Sequence, residues 1–452
     1  MIMQEALADL KRFLKPLQLN ARCQALVVRC VAGFCLHWGR MSAVRASQTV
    51  ASEPLHRAQI CRFLGRKHLR KKDIVAILRA QLLAREGQRG RYYFLVDQTL
   101  CSQQGDKTEN TYSTGNRKRR PSKSRRHGKY KYTPKRCHCF VMGLLITPSG
   151  LRLPYRRCYY TAEYCKKQKR AYRTQIELAA ELIRELPSLP AGSDLVVLGD
   201  AAFDAKEIHK ACKERDYSWI VPANSERVLA VAKPRPKVRA LLKEFSAEQF
   251  KAITLKPNQP NYAAARRLSA YRIGRKVKER VYYVYHEIRE VQSVGIVRIV
   301  FSTRNQPQAG QTVDAAKILM TNNVKFSAAE VVQMYDLRWQ IELYFKELKS
   351  SLGFAQYRFR KFEQVQGWLE LTLATFLYLE LLRAVQIERA KTAEEKVRWQ
   401  RKRTYGMCVA LRQRVQQADI DSIAKALETP GGIQRLRKKL RSATQKEYRD
   451  VA

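Results

Sequence analysis

The chain of 452 residues is long enough for two to four domains and a sizeable core. Its 87 Lys plus Arg against 40 Asp plus Glu leave a formal net charge of +47, far beyond the ~2–8 that solubility needs. Self-repulsion on that scale calls for a polyanionic partner, nucleic acid first and an acidic membrane surface a distant second. The eleven cysteines are scattered, and Met1–Asp9 lacks the basic start and apolar run of a secretory signal, so free thiols in a reducing compartment are expected.

Residues 1–88 read as helices. Apolar residues recur at three- and four-residue spacing over Leu7–Leu14, Ala21–Leu36, Arg57–Leu64 and Lys72–Ala84. Ser52 is a candidate N-cap for the third, with Pro54 in its first turn. A basic helical bundle suits DNA binding, and it suits plain packing as well. At Arg91 the pattern changes: Tyr92–Val96 is a short apolar run ending in Asp97-Gln98-Thr99, a buried strand with an acid at its carboxyl end. Arg117–Arg136 then holds eleven Lys or Arg, the composition of a solvated loop that can order on phosphates.

Arg136–Ile146 and Leu151–Tyr159 are expected as a hairpin about the turn Thr147–Gly150. Cys137, His138 and Cys139, with Cys158 and Cys165 beyond, invite a zinc reading. Adjacent Cys-His-Cys lacks the usual two-to-four-residue spacer and sits in an apolar run, which disfavours it. Thr174–Leu186 reads as a helix, and Leu195–Asp200 as a second short strand ending in an acid. Asp204 sits where the next helix would begin and is expected to cap it. Between Asn224 and Gln311 the alternation gives way to Val-, Ile- and Tyr-rich runs at Glu279–Val291 and Gly295–Ser302, expected as paired antiparallel strands. Ala316–Asn322 is a further strand, and Ser327-Ala-Ala-Glu330 a capping box that starts a helical stretch. The most apolar segment, Trp368–Leu382, is too short to span a bilayer and carries Glu370 and Glu380, so it is expected as a buried helix. Arg398–Arg403 and Arg435–Arg441 are basic runs that read as solvated helix faces or DNA contacts.

Within Tyr335–Lys349, read as one helix, Tyr335, Arg338, Glu342 and Lys349 fall within roughly 60° of one another. Leu337, Ile341, Tyr344 and Leu348 share the opposite face. Three carboxylates therefore stand out: Asp97 and Asp200 at strand ends, where α/β sheets build sites, and Glu342 on a helix face. Such a set can hold two Mg²⁺ ions for in-line phosphoryl displacement, while the surrounding positive charge holds DNA. Each acid alone has a plainer explanation as a cap, or for Glu342 as an ion-pair partner of Arg338 or Lys346.

The spacing Tyr335-x2-Arg338-x3-Glu342-x6-Lys349 resembles the Tyr-Arg-Glu-Lys signature of the transposases of the insertion-sequence-4 family. Asp97-Gln98-Thr99 resembles their first-acid motif and Gly199–Asp204 their second, so the likeness covers about residues 90 to 355. It implies an α/β, RNase H-like catalytic core (89–223 and 312–355) with a β-rich insertion (224–311). A helical DNA-binding domain (1–88) and a basic helical region for DNA binding or dimerisation (356–452) would flank the core. It further implies Asp97, Asp200 and Glu342 as catalytic ligands of two Mg²⁺ ions, for which Mn²⁺ can substitute. Tyr335, Arg338 and Lys349 would hold a DNA phosphate. Terminal inverted repeats and target DNA would be the partners, in a homodimeric complex at the bacterial nucleoid, in the cytoplasm and off the membrane. Relatives pass through a DNA hairpin and flip a base onto an aromatic ring, for which Trp219 and Trp339 are candidates. A non-catalytic DNA binder that keeps the fold and a stand-alone RNase H-like nuclease are the competing expectations.

Overall fold

Strand and helix patterns alternate through the middle of the chain, and the computed structural model is correspondingly mixed α/β. The structure describes residues 8–37, 41–48, 56–66, 73–103, 107–113, 136–224, 226–230, 235–255, 280–308, 316–435 and 437. The basic run over 117–135, Ser52 and Pro54, and most of the run after Arg435 lie outside the described residues.

The first helices are α1 (Ala8–Leu14), α2 (Ala21–Leu36), α3 (Ala43–Gln48), α4 (Arg57–Leu64) and α5 (Ile74–Leu83). Asn20 caps α2 by accepting from the Cys23 N–H, Asp73 caps α5 through Ala76, and α4 takes His56 as its cap. Then come β1 (Arg91–Ser102), β2 (Tyr112–Ser113), β3 (Arg136–Ile146), β4 (Arg152–Cys158), α6 (Ala162–Lys167), α7 (Gln175–Arg184), β5 (Asp194–Leu198), α8 (Lys206–Glu214) and β6 (Ser218–Pro222). They are followed by β7 (Lys251–Leu255), β8 (Arg280–Val291), β9 (Gly295–Thr303), β10 (Lys317–Thr321), α9 (Ala328–Asp336) and α10 (Trp339–Lys346). The last helices are α11 (Phe362–Arg389), α12 (Ala393–Arg401) and α13 (Thr404–Glu428).

Among the described residues one sheet runs β2-β3-β1-β5-β6-β10-β9-β8-β7, with β4 also on β3. β1, β5 and β6 are mutually parallel; the other pairings are antiparallel. β1 is longer than its apolar run because β3 stays paired with it out to Ser102, long after β5 has left at Leu95. The β8–β9 hairpin and β7 do not close on themselves. They extend the central sheet through β10.

The two ends of the chain meet around α11. Phe34 packs edge-on to Trp368 with centroids 4.7 Å apart, and the Tyr378 hydroxyl donates to Asp9 at 2.9 Å. Arg412 on α13 donates to the Cys35 carbonyl on α2. A methyl group at Gly367 would run into the backbone carbonyl of Leu64, so α4 and α11 approach as closely as glycine permits. Burial on every side explains why α11 is apolar around most of its circumference. Its two buried acids are paired: Glu370 with Arg156 and Glu380 with Arg152, both at 2.5 Å. No helix among the described residues is long and apolar enough to cross a membrane.

Candidate active site

The parallel ladder between β1 and β5 ends at Leu95 opposite Leu198. Asp97 and Asp200 each lie two residues beyond that last rung, so the side-chain alternation that buries Leu95 and Leu198 brings the two acids to the same edge of the sheet. Asp97 is in the middle of β1 rather than at its end. It is the neighbouring strand that stops, and the acid gains its opening from that departure. Beyond Gly199 the chain folds into a 3-10 turn (Ala201–Phe203) that Asp200 caps, accepting from the Ala202 N–H at 2.9 Å.

Glu342 arrives on α10. The expected single helix over Tyr335–Lys349 is a bent pair instead. The Leu337, Arg338, Gln340 and Ile341 N–H groups bond to carbonyls three residues back, tightening the chain between α9 and α10, and Glu347–Ser351 opens into a π-turn. The apolar stripe survives the bend: Leu337, Ile341, Tyr344 and Leu348 are all buried. The Ser327–Glu330 capping box fixes where α9 starts.

Arg338 is the hub. Its guanidinium lies 3.6 Å from Asp97 Oδ2 and 2.5 Å from Glu342 Oε1, joining the strand acid to the helix acid. Burial, then the negative charge of Asp200, raise the Asp97 carboxyl to about 6; Glu342 adds to the rise, while the Gln98 N–H and Arg338 only partly offset it. Tyr335 is pushed up to about 12, by burial first, with Asp200 and Asp97 adding and Arg338 opposing. Burial disfavours the charge on Arg338, yet Tyr335, Glu342 and Asp97 outweigh it and hold the guanidinium firmly protonated. Five of the six expected residues thus act on one another electrostatically. Lys349 stands apart, its Nζ donating to the Leu100 carbonyl at 2.9 Å, three residues along β1 from Asp97.

The donor set suits a hard divalent cation. Three carboxylates offer oxygen ligands alone, and Asp97 is raised by burial first and by the charge of Asp200 second, so a cation there would relieve both. Asp97 and Glu342 are held on Arg338 rather than preassembled for an ion. Among the described residues, no group of three or more His, Cys, Asp or Glu side chains is in position to ligate a metal. Of the two candidate rings, Trp219 is 2% exposed and stacked on His209 with centroids 4.2 Å apart, whereas Trp339, beside Arg338, is 51% exposed. Only Trp339 has a face that a base can reach.

Asp204 corrects one further expectation, and His138 agrees with the strand reading that disfavoured zinc. Asp204 does not cap α8, whose N-cap is Ala205 without a side-chain bond. Asp204 is buried and holds Arg227 at 2.8 Å and the Asn224 N–H at 2.8 Å, so its carboxylate is spent on an ion pair rather than on the helix. His138 is a core histidine: its ring nitrogens meet the Tyr357 hydroxyl at 2.8 Å and the Glu109 carbonyl at 2.9 Å, and burial drives it down to about 4. Sequence reasoning passed over Lys317, whose ammonium lies 4.2 Å from the Tyr335 ring centroid. It heads an apolar strand, and nothing in its neighbours signals the contact.

The chain matches the family model described as DDE superfamily endonuclease over residues 12–244, a range holding Asp97 and Asp200. It matches the model described as transposase DDE domain over residues 168–378, a range holding Asp200 and Glu342. No curated protein matches the chain. The first of these models covers more than half of the 452 residues, and the chain therefore belongs to the DDE superfamily of transposases and endonucleases.

Proposed function

We propose that this chain is the transposase of an insertion sequence, of the insertion-sequence-4 type, cutting DNA at the element's inverted repeats and joining the freed ends to target DNA. The observation that carries the reading is the Arg338 bridge between Asp97 and Glu342, with Asp200 close enough to raise the Asp97 carboxyl. The strand order supports it as well. A central β1 with antiparallel β3 and β4 on one side and parallel β5 and β6 on the other is the arrangement expected of an RNase H-like core.

Asp97, Asp200 and Glu342 would hold two Mg²⁺ ions, with Mn²⁺ able to substitute. When bound, such ions polarise the phosphoryl oxygens and make water a nucleophile near neutral pH. The chain's own residues do the rest. Arg338 exchanges carboxylate partners for a phosphate, to which its planar fork can bond bidentately, while the Tyr335 hydroxyl, protonated at any working pH, donates to the same group. Lys349 adds a point charge from the β1 side. The oxygen of water bonds to phosphorus as the bond to the 3′-oxygen breaks; the freed 3′-hydroxyl then attacks a target phosphate and displaces the target's own 3′-oxygen. Trp339 would receive a flipped base if the ends pass through a hairpin. Helices α1–α5 and α11–α13 share one core, so we assign repeat binding and homodimerisation to that joint bundle.

DNA carrying the inverted repeats that flank the gene, incubated with the chain, Mg²⁺ and a target plasmid, tests the reading. Nicks at the repeat ends followed by joined products are expected. Cleavage without joining would point to a stand-alone nuclease, and binding without cleavage to a non-catalytic protein; either result contradicts the proposal.

A further inference from the structure

The edge of the sheet that carries Asp97 and Asp200 continues past the site. β6 is parallel to β5, and β10 is antiparallel to β6, so the start of β10 lies beside the end of β6. β9 ends beside the start of β10, with Lys317 opposite Ser302, and β8 begins beside the end of β9. The alternating directions therefore bring Lys317, Arg304 and Arg280 to one edge, in that order moving away from the acids. Strands lie about 4.8 Å apart, so the three span about 10 Å, or about three nucleotides at the ~3.4 Å rise per residue of one DNA strand.

Their pairing is uneven. Arg338 is committed to Asp97 and Glu342, and Arg280 lies 3.6 Å from Asp336. Among the described residues neither Lys317 nor Arg304 pairs with a carboxylate, and both are exposed. The Lys317 ammonium is folded over the Tyr335 ring at 4.2 Å, and Arg304 donates to the Tyr282 hydroxyl at 3.4 Å. An ammonium over the largely buried Tyr335 ring gains about 0.5–2 kcal/mol, set against the repulsion of the neighbouring guanidinium groups. Packing around the ammonium, and then the charges of Arg338 and Arg304, lower Lys317 to about 8, while Asp336 and Glu342 only partly oppose the shift. Asp336 is the carboxylate that all three cations share, and one acid among Lys317, Arg304 and Arg280 leaves an excess of positive charge, next to a residue read as a phosphate ligand, that phosphates would stabilise.

We propose that Lys317 and Arg304 seat the phosphates of the DNA strand that leaves the Tyr335–Arg338 site towards the β8–β9 hairpin. The proposal rests on the reading of that site as a DNA-cutting centre, and it assigns a ligand to the sheet edge beyond it.

The test is binding by the full chain to a labelled duplex ending at the flanking repeat, and to an unrelated duplex of the same length, across a salt series. Lys317→Gln and Arg304→Gln should each weaken both complexes roughly three- to tenfold and flatten the slope of log affinity against log salt by about 0.9. Lys317→Arg should restore both. Unchanged slopes in the Gln variants would overturn the proposal, as would an equal loss in Lys317→Arg, which would trace the effect to packing on Tyr335 rather than to charge. Cleavage is scored separately. A wild-type chain that fails to cut while the slopes change defeats only the proposed function; one that cuts while the slopes stay fixed defeats only this inference.

Discussion

Asp97 shows at the scale of a single residue how burial and a neighbouring carboxylate strain one acid. Its folded-state carboxyl sits at about 6, above the ~3.9 of an unfolded chain, so the folded protein holds the proton more tightly. Stability is therefore highest below about pH 4 as far as this group is concerned, and it falls as pH rises through the window from 4 to 6. A shift of about two units corresponds to roughly 2–3 kcal/mol for a side chain that is 15% exposed. Asp97→Asn mimics the neutral acid. At pH 8 and without divalent cations it should stabilise the chain by roughly 1–3 kcal/mol, read as a higher melting temperature, and the gain should vanish at pH 4. An unchanged or lower melting temperature at pH 8 would show that Arg338 already compensates the charge. Sequence reasoning reached Asp97, Asp200 and Glu342 because two apolar runs end in acids and a helix carries a third. It misassigned Asp204 because a cap and a buried ion-pair partner look alike until Arg227 arrives from 23 residues away.

Elements carry the site through a buried charge network behind it. Arg152 on β4 lies between Glu347, at the end of the α10 segment, and Glu380 on α11, at 2.8 and 2.5 Å. Thr404 donates to Glu347 at 3.0 Å, and Arg383 pairs with Glu380 at 2.6 Å. Glu347 also stands five residues past Glu342, so the network fixes how far the helix acid reaches towards the sheet. Arg152→Met should cost about 3–5 kcal/mol, because it leaves two buried carboxylates short of a partner. Chemical denaturation measures this, and a loss below about 1 kcal/mol would mean Arg383 and Thr404 suffice. Strands β1, β3, β4, β5, β8, β9 and β10, the Ser327 capping box and the apolar stripe of α10 were legible from local pattern, whereas β6, β7 and the Thr174 capping box were not read. The bend between α9 and α10 was not, since Leu337 and Arg338 carry no Pro or Gly to announce it. Tertiary contacts to Asp97 and to the core impose it.

For the molecule as a whole, charge and topology point the same way. A net charge of +47 favours a polyanionic partner, and under the proposed function affinity for DNA should fall about 10³-fold or more between 50 and 200 mM salt if six or more phosphates are engaged. A nearly flat salt series would deny the backbone a leading role. Composition made the partner legible from the start. It did not reveal that the helices of the two chain ends enclose α11 together, because contacts such as Phe34 with Trp368 join residues far apart in sequence.

The central claim is that Asp97, Asp200 and Glu342 act as one metal-dependent centre. The most direct measurement is the rate of Mg²⁺-dependent end cleavage by Asp97→Asn, Asp200→Asn and Glu342→Gln, each alongside its affinity for the same DNA. Every one of the three should lose cleavage by at least about a thousandfold, or roughly 4 kcal/mol of barrier, while binding survives. Near wild-type cleavage by any one of them would contradict it.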